Sequence, residues 1–332
     1  MTNLTEQLLD WYRQNGRDLP WRVKGGAHEN AYLVWVSEIM LQQTTVQTVY
    51  DYFNRWMQRF PDLKTLAEAS LDDVLHMWQG LGYYTRAKKM HECARVLMTQ
   101  YGGRFPANRD ELLKLPGIGP YTASSICAFA FNLPETVVDG NVIRVIARLD
   151  GITTEIDKDD IYKRAQKLTS LEHGADYASA IMDLGATVCK PQGPLCMICP
   201  WVQSCQAAAL GIAEQIPVIK KLQKKKKHGA VFVIRDAGGR LYISKRAGKG
   251  LLSGLWELPW VEEGSTPPFD ADWVKRAGSV RHVFTHFDLT LDMYETTVVS
   301  VPNDLKSGVF VEADNLSGYA FSTLMKKVLK KI

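Results

Sequence analysis

The chain has 332 residues, is 46% hydrophobic, and carries 40 Lys and Arg against 36 Asp and Glu, a formal charge of +4. That length exceeds a usual single domain, so two domains are expected, with enough apolar content for packed cores. No apolar run approaches the roughly 20 residues that cross a bilayer, which excludes a membrane-spanning helix, and the small positive charge suits a polyanionic partner without requiring one. The first residues, MTNLTEQLLDWYRQ, are polar, acidic and helix-patterned rather than basic then apolar, so a soluble intracellular protein without a secretory signal is expected. Four of six cysteines crowd into Cys189 to Cys205, which in such a chain points to metal rather than disulfides. Cys93 and Cys127 stand singly in helical patterns and read as small buried residues.

In chain order, Leu8, Leu9 and Trp11 mark a helical stripe over Leu4 to Tyr12. The loop Arg17-Asp18-Leu19-Pro20-Trp21-Arg22 follows; it serves packing, or it offers a cation and an indole that bond to and stack on a base. Tyr32 to Tyr52 is helical by period. Within it Glu38 lies on the same apolar face as Val34, Trp35 and Leu41. Burial disfavours a charged carboxylate and raises its pKa, which suits a group that hands over a proton near neutrality; the alternative is a glutamate hydrogen-bonded at a helix junction. Gln42, Gln43 and Thr44 carry amide and hydroxyl groups able to read base edges. In Gly80-Leu81-Gly82-Tyr83-Tyr84-Thr85-Arg86, an aromatic at a glycine turn is either core or a wedge that enters a base stack.

Leu115 to Asn141 reads LPGIGPYTASSICAFAFNLPETVVDGN. Gly117 and Gly119 flank Ile118 in a tight turn before a helix starting near Tyr121, and the free N–H groups there form a seat for phosphate, the look of a helix-hairpin-helix element. Asp139 opens the helical run Val142 to Leu149, where amides and the helix dipole favour its ionised form. Dominant 3.6-residue periodicity makes residues 1 to about 210 all-helical. The cysteines follow as C-x6-C-x2-C-x5-C at Cys189, Cys196, Cys199 and Cys205, a set that encloses one zinc or one cubane iron–sulfur cluster; spacing alone does not separate the two. Ile216 to His228, IPVIKKLQKKKKH, holds six lysines and no acid and reads as a tether that also leans on phosphate. Short alternating runs then take over (GAVFVIRD, GRLYISKR, LLSGLWELPW, HVFTHFDLTLDMYETTVV, GVFVEADN), closed by a helix from Leu324 to Lys331, which together predict an α+β domain.

VSEIMLQQT, the GLGYY turn, LPGIGPYTA followed by VVDGNVIRV, and the 6-2-5 cysteine spacing together resemble the MutY-type adenine glycosylases. These belong to the helix-hairpin-helix DNA glycosylase superfamily, in the iron–sulfur branch shared with endonuclease III, and the resemblance covers nearly the whole chain. It implies a multi-domain protein: an all-α glycosylase core over residues 1–215, with the hairpin at 115–126 and a [4Fe–4S] cluster loop at 189–205 ligated by Cys189, Cys196, Cys199 and Cys205; a basic linker at 216–228; and a Nudix-like α+β domain at 229–332. Residues 261–268 offer prolines and a loop where a Nudix hydrolase carries an Arg- and Glu-rich helix, so that domain is expected to recognise a lesion rather than hydrolyse.

The activity implied is removal of adenine opposite 8-oxoguanine or guanine in double-stranded DNA, by a monomer in a bacterial cytoplasm, associated with the nucleoid. By the same resemblance Glu38 is the general acid toward adenine N7, Asp139 stabilises the oxocarbenium-like sugar, and Tyr121 and Asn141 orient these groups or the water. Arg17 and Trp21 line the adenine pocket, Gln43, Thr44, Leu81 and the wedge Tyr83 work at the lesion, and Gly117 and Gly119 meet the DNA backbone. The turn Phe284-Thr285-His286 matches one that reaches the damaged guanine, with Thr where the family has Ser; Ser179 stands where an amide or carboxylate is common. Endonuclease III-like enzymes have a lysine where this chain has Tyr121, which forms no Schiff base, so no lyase step is expected.

Overall fold

Asn3, Asn30, Thr45, Asn108, Asp139 and Asp157 each begin a helix by accepting a hydrogen bond from a first-turn amide, so short polar side chains set much of the helical punctuation. The computed structural model describes residues 3–27, 30–218, 224–248, 250–300, 305 and 308–332. The chain divides into two compact units, residues 1–68 with 89–221, and residues 69–88 with 222–332.

Among the described residues the regular elements of the first unit are all helices, apart from a lone bridge between Glu155 and Val218. Two helices, Ala31–Leu41 and Pro120–Phe131, are buried on nearly every side and pack on each other at its centre. Amphipathic helices surround them; Val46–Arg59, for example, buries only Val49, Phe53 and Trp56. Glu38 therefore lies on a helix without a polar face: Ser37 and Ile39 beside it are also buried, whereas Leu41 is partly exposed. The single helix expected over Tyr32 to Tyr52 is two. It breaks at residues 42–45, where Gln43 takes φ 61° and Thr45 caps the next helix; the turn chemistry overrides a periodic pattern that runs across it. Helix Gly174–Asp183 continues into a π-helical turn, Leu184–Val188, that delivers Cys189.

In the second unit a seven-stranded mixed sheet is built from β1 (Lys225–Asp236), β2 (Leu241–Lys245), β3 (Trp256–Glu257), β4 (Trp260–Glu262), β5 (Val274–Val283), β6 (Phe287–Val298) and β7 (Gly308–Val311). The path runs β3-β2-β1-β6-β5, with β1 and β6 parallel and the other pairs antiparallel. Inward residues such as Val231, Val233, Leu289 and Leu291 pack against Leu324, Met325 and Val328 of the last helix, Thr323–Leu329. Residues 263–273 carry no helix.

Three sequence expectations change here. The basic linker expected at 216–228 is, from Lys225 onward, the first part of β1, with Lys225 to His228 paired to Phe287 to Thr290; main-chain pairing makes a strand of a segment whose lysines carry no apolar alternation. Residues 219–223 of that linker lie outside the described residues. The run HVFTHFDLTL is two strands, parted at residues 284–286, and β5 starts earlier, at Val274, passing a bulge that includes Gly278 at φ 84°. Residues 69–88, expected in the helical domain, group with the sheet: Lys245 pairs with Asp72 at 2.7 Å, the Gln79 amide donates to Tyr319 O at 3.0 Å, and Lys88 donates to Ser253 O.

Candidate active site

Glu38 is 6% exposed. The Tyr121 hydroxyl, in the first turn of helix Pro120–Phe131, donates to its Oε2 at 2.9 Å. Burial pushes the Glu38 carboxyl above the ordinary range; the Tyr121 hydrogen bond and the Arg22 cation oppose this without cancelling it, and the nearby Asp139 charge reinforces it. Burial, with the charges of Glu38 and Asp139, also raises the Tyr121 phenol, so Tyr121 stays a donor.

Asp139 precedes helix Gly140–Leu149 and accepts from Val142 N at 2.8 Å on Oδ1 and from Asn141 Nδ2 at 2.8 Å on Oδ2. The Asn141 side-chain oxygen in turn accepts from Arg144 Nη2 at 2.8 Å, and Arg144 also donates to Gly185 O at 2.6 Å and Cys189 O at 2.7 Å. Gly185 permits this contact: a Cβ there would stand 2.6 Å from the Asn141 Cβ. The two carboxylates thus differ in setting, one buried beside a phenol and one supported by hydrogen-bond donors.

The hairpin glycines have different duties. Gly117 has φ 78°, and a Cβ on it would come within 2.6 Å of Lys89 Cβ, so the close neighbour is the protein's own helix. Gly119 is extended and a Cβ would meet nothing within 4 Å; no side chain caps the helix it opens. The amides at that end remain available to an outside acceptor.

Arg17 and Trp21 are engaged inside the protein. Arg17 donates from its backbone N at 2.8 Å and from Nε and Nη2 at 2.8 and 2.6 Å to the fully buried Asp183, which also takes Arg22 Nη1 at 2.6 Å. Burial pushes the Asp183 carboxyl up, but Arg22 and Arg17 outweigh it and hold it below the usual carboxylate range. Trp21 is buried edge-on to Phe53 at 5.1 Å. Ser179 is buried. Gln43 is exposed, Thr44 is half-buried, and the Gln42 amide donates to Thr122 Oγ1 at 3.2 Å. Leu81 and Tyr83 belong to the second unit. Leu81 is buried, and Tyr83, at φ 47°, shares a hydroxyl–hydroxyl hydrogen bond with Thr285. Phe284 packs on His282 and Phe287 with ring centres 4.5 and 4.7 Å away, while Thr285 and His286 are exposed.

The four cysteines Cys189, Cys196, Cys199 and Cys205 line one small cavity together with Arg148, Val188 and Val202. Among the described residues no three His, Cys, Asp or Glu side chains converge as a single metal ion requires. Four thiols about one cavity are a donor set that either a zinc ion or an iron–sulfur cluster takes. Arg148, 2% exposed, ties the loop together: it donates to Lys190 O at 2.7 Å, Pro191 O at 3.2 Å and Ile216 O at 2.9 Å, and reaches Cys189 Sγ at 3.4 Å. Arg22, Asp183, Arg144 and Arg148 were not singled out from sequence. The signal for the last two was two arginines four residues apart on an otherwise apolar helix.

The fold and site define a class. Residues 36–170 match the HhH-GPD superfamily of base excision DNA repair proteins, and residues 230–331 match the NUDIX domain. A solved thermostable thymine-DNA glycosylase is 27% identical, with TM-score 0.57, covering 62% of this chain and 95% of that one. The adenine DNA glycosylase of Mus musculus is 33% identical across 99% of this chain and 78% of its own length, and that of Buchnera aphidicola subsp. Baizongia pistaciae is 31% identical across 100% and 98%. The chain belongs to the adenine DNA glycosylase family, and is an enzyme hydrolysing N-glycosyl bonds.

Proposed function

We propose that this glycosylase removes adenine paired with 8-oxoguanine, or with guanine, from duplex DNA and leaves the strand uncut. The observation that carries the reading is Glu38: a carboxyl whose pKa burial raises, hydrogen-bonded by Tyr121 on one oxygen, in the electrostatic neighbourhood of a second carboxylate, Asp139. Glu38 delivers its proton to adenine N7, so the C1′–N9 bond breaks with its electron pair leaving on the neutralised base. Asp139, held by Val142 N and Asn141, steadies the positive charge that develops on the deoxyribose. A water oxygen then bonds to C1′ and gives up its proton to the Glu38 carboxylate, which restores the acid. Tyr121 stands at the hairpin with a phenol and no amine, so no Schiff base forms and no strand scission follows.

Cys189, Cys196, Cys199 and Cys205 would hold a [4Fe–4S] cluster, whose contribution is to brace the loop rather than to react. At the opposite base, Gln43 and Tyr83 are assigned to the lesion; both take left-handed backbone angles that ordinary residues avoid, as strained recognition residues do. The exposed Thr285 hydroxyl next to Tyr83 is assigned to the damaged guanine. Arg17 and Trp21 shape the adenine pocket from behind, given their internal partners. Single-turnover assays on duplexes carrying A opposite 8-oxoguanine, A opposite G, and thymine glycol test this. Excision from the first two, with strand breaks only after hot alkali, is expected; release of thymine glycol or scission without alkali would sink it.

A further inference from the structure

We propose that Lys225 and Lys226, at the start of β1, bind DNA phosphates beside the base read by the Phe284–His286 turn. The idea rests on the lesion-reading role assigned to that turn and extends it to the backbone around the lesion. The basic segment is joined to the turn rather than hanging free: Lys224 Nζ donates to Phe284 O at 3.0 Å, and the Lys225 amide donates to His286 O at 3.4 Å. In sheet register Lys225 lies opposite Phe287 and Lys226 opposite Asp288, the residues that leave the turn. Adjacent strands lie about 4.8 Å apart, so lysine side chains here flank the turn at close range. The two-residue period sends Lys225 and Lys226 to opposite faces, one cation on each side.

The neighbouring lysines already have tasks. Lys224 holds the turn, and Lys227 pairs with Glu262 at 2.9 Å and lies 4.9 Å over the Phe287 ring. The acid opposite Lys226 in register, Asp288, is taken by Arg281 at 2.6 Å. Lys225 and Lys226 are exposed and, among the described residues, make no side-chain hydrogen bond or ion pair. Two uncommitted cations beside an exposed hydroxyl and imidazole, in a DNA repair enzyme, match the phosphates that border any base in a duplex. The competing explanation is that lysines here only discourage strand pairing at a sheet edge.

The full-length protein decides between them. Binding is measured across a salt titration to a duplex with 2′-fluoro-2′-deoxyadenosine opposite 8-oxoguanine, which resists excision. Lys225→Gln with Lys226→Gln should weaken binding and lower the slope of log Kd against log salt by about 2, at roughly 0.9 per lost phosphate contact. Lys225→Arg with Lys226→Arg should keep the wild-type slope. An unchanged slope in the glutamine pair, or a lowered one in the arginine pair, overturns the proposal, the first meaning that the lysines guard the edge or face another partner. Thr285→Ala, measured on 8-oxoguanine and guanine duplexes, tests the underlying reading separately: an unchanged preference for 8-oxoguanine would remove the turn's role, while the salt slope still decides the lysines.

Discussion

Among the described residues each unit buries one glutamate to almost the same depth, Glu38 at 6% exposure and Glu257 at 7%, and burial raises both carboxyls. Their partners differ. Glu257 receives Arg246 Nη1 at 2.9 and 3.3 Å and the Trp260 indole N–H at 2.9 Å, with Arg246 lying 4.5 Å over the Trp260 ring. Glu38 receives a phenol, while the nearest strong cation, Arg22, is itself bound to Asp183. A buried acid with its own guanidinium is an internal ion pair; one left with a neutral donor beside another carboxylate is poised to give up a proton. Depth of burial alone does not separate a structural acid from a reactive one.

The sharpest way to break this comparison is to neutralise each acid in turn. Glu38→Gln should lower single-turnover excision about 10²–10⁴-fold, the range for losing a general acid, and Asp139→Asn should do the same with mismatch binding retained. Glu257→Gln should leave the rate of folded enzyme near wild type; a loss equal to that of Glu38→Gln would erase the distinction. In the proposed mechanism the acid form of Glu38 is the active one, so excision by the wild type should fall as pH rises through its raised pKa, and the pH–rate profile reads this directly.

Stability gives the next largest contrast. Arg246→Met strands the Glu257 carboxylate and should cost about 2–3 kcal/mol, below the top of the range for broken buried pairs because the arginine side chain is 30% exposed. Denaturant unfolding measures it. The hairpin supplies a third test: Gly117→Ala forces a side chain at φ 78° against Lys89 and should cost about 1–3 kcal/mol, whereas Gly119→Ala should leave the unfolding midpoint unchanged and weaken DNA binding. The smallest effect has the opposite sign. A carboxyl raised in the folded state stabilises fully below its unfolded pKa, near 4.3, and that contribution is lost as pH rises through the folded value. Glu38→Gln should therefore raise Tm at pH 8 and not at pH 4; a lowered Tm at pH 8 would mean that ionised Glu38 is well satisfied after all.

Much of this was legible before any coordinates. Glu38 stood out as a carboxylate in an apolar run, Asp139 as a helix cap, and the cysteines by spacing, because each signal lies within a few residues. The break at Gln43 was not legible, since periodic apolar residues continue on both sides of a turn whose backbone angle is set by its surroundings. Arg17 read as a packing or pocket cation in its loop, and nothing nearby in sequence names its partner Asp183, 166 residues on. Lys225 to His228 read as a tether because main-chain pairing to β6 leaves no trace in composition. Residues 69–88 hold the helix Leu71–Met77 and the start of Thr85–Gln100 around a glycine turn, yet nothing local says that their partners begin after residue 221.

Sequence alone determined the helices, the strand-rich last third, the hairpin and which residues could do acid–base chemistry, since hydrophobic period, capping and turn preference act over one or two turns of chain. Tertiary structure decided what each of those groups faces. Tyr121 reaches Glu38 across 83 residues and Arg148 reaches Cys189 across 41, and such distant neighbours, through burial and charge, leave one buried acid beside a phenol and make the other half of an ion pair.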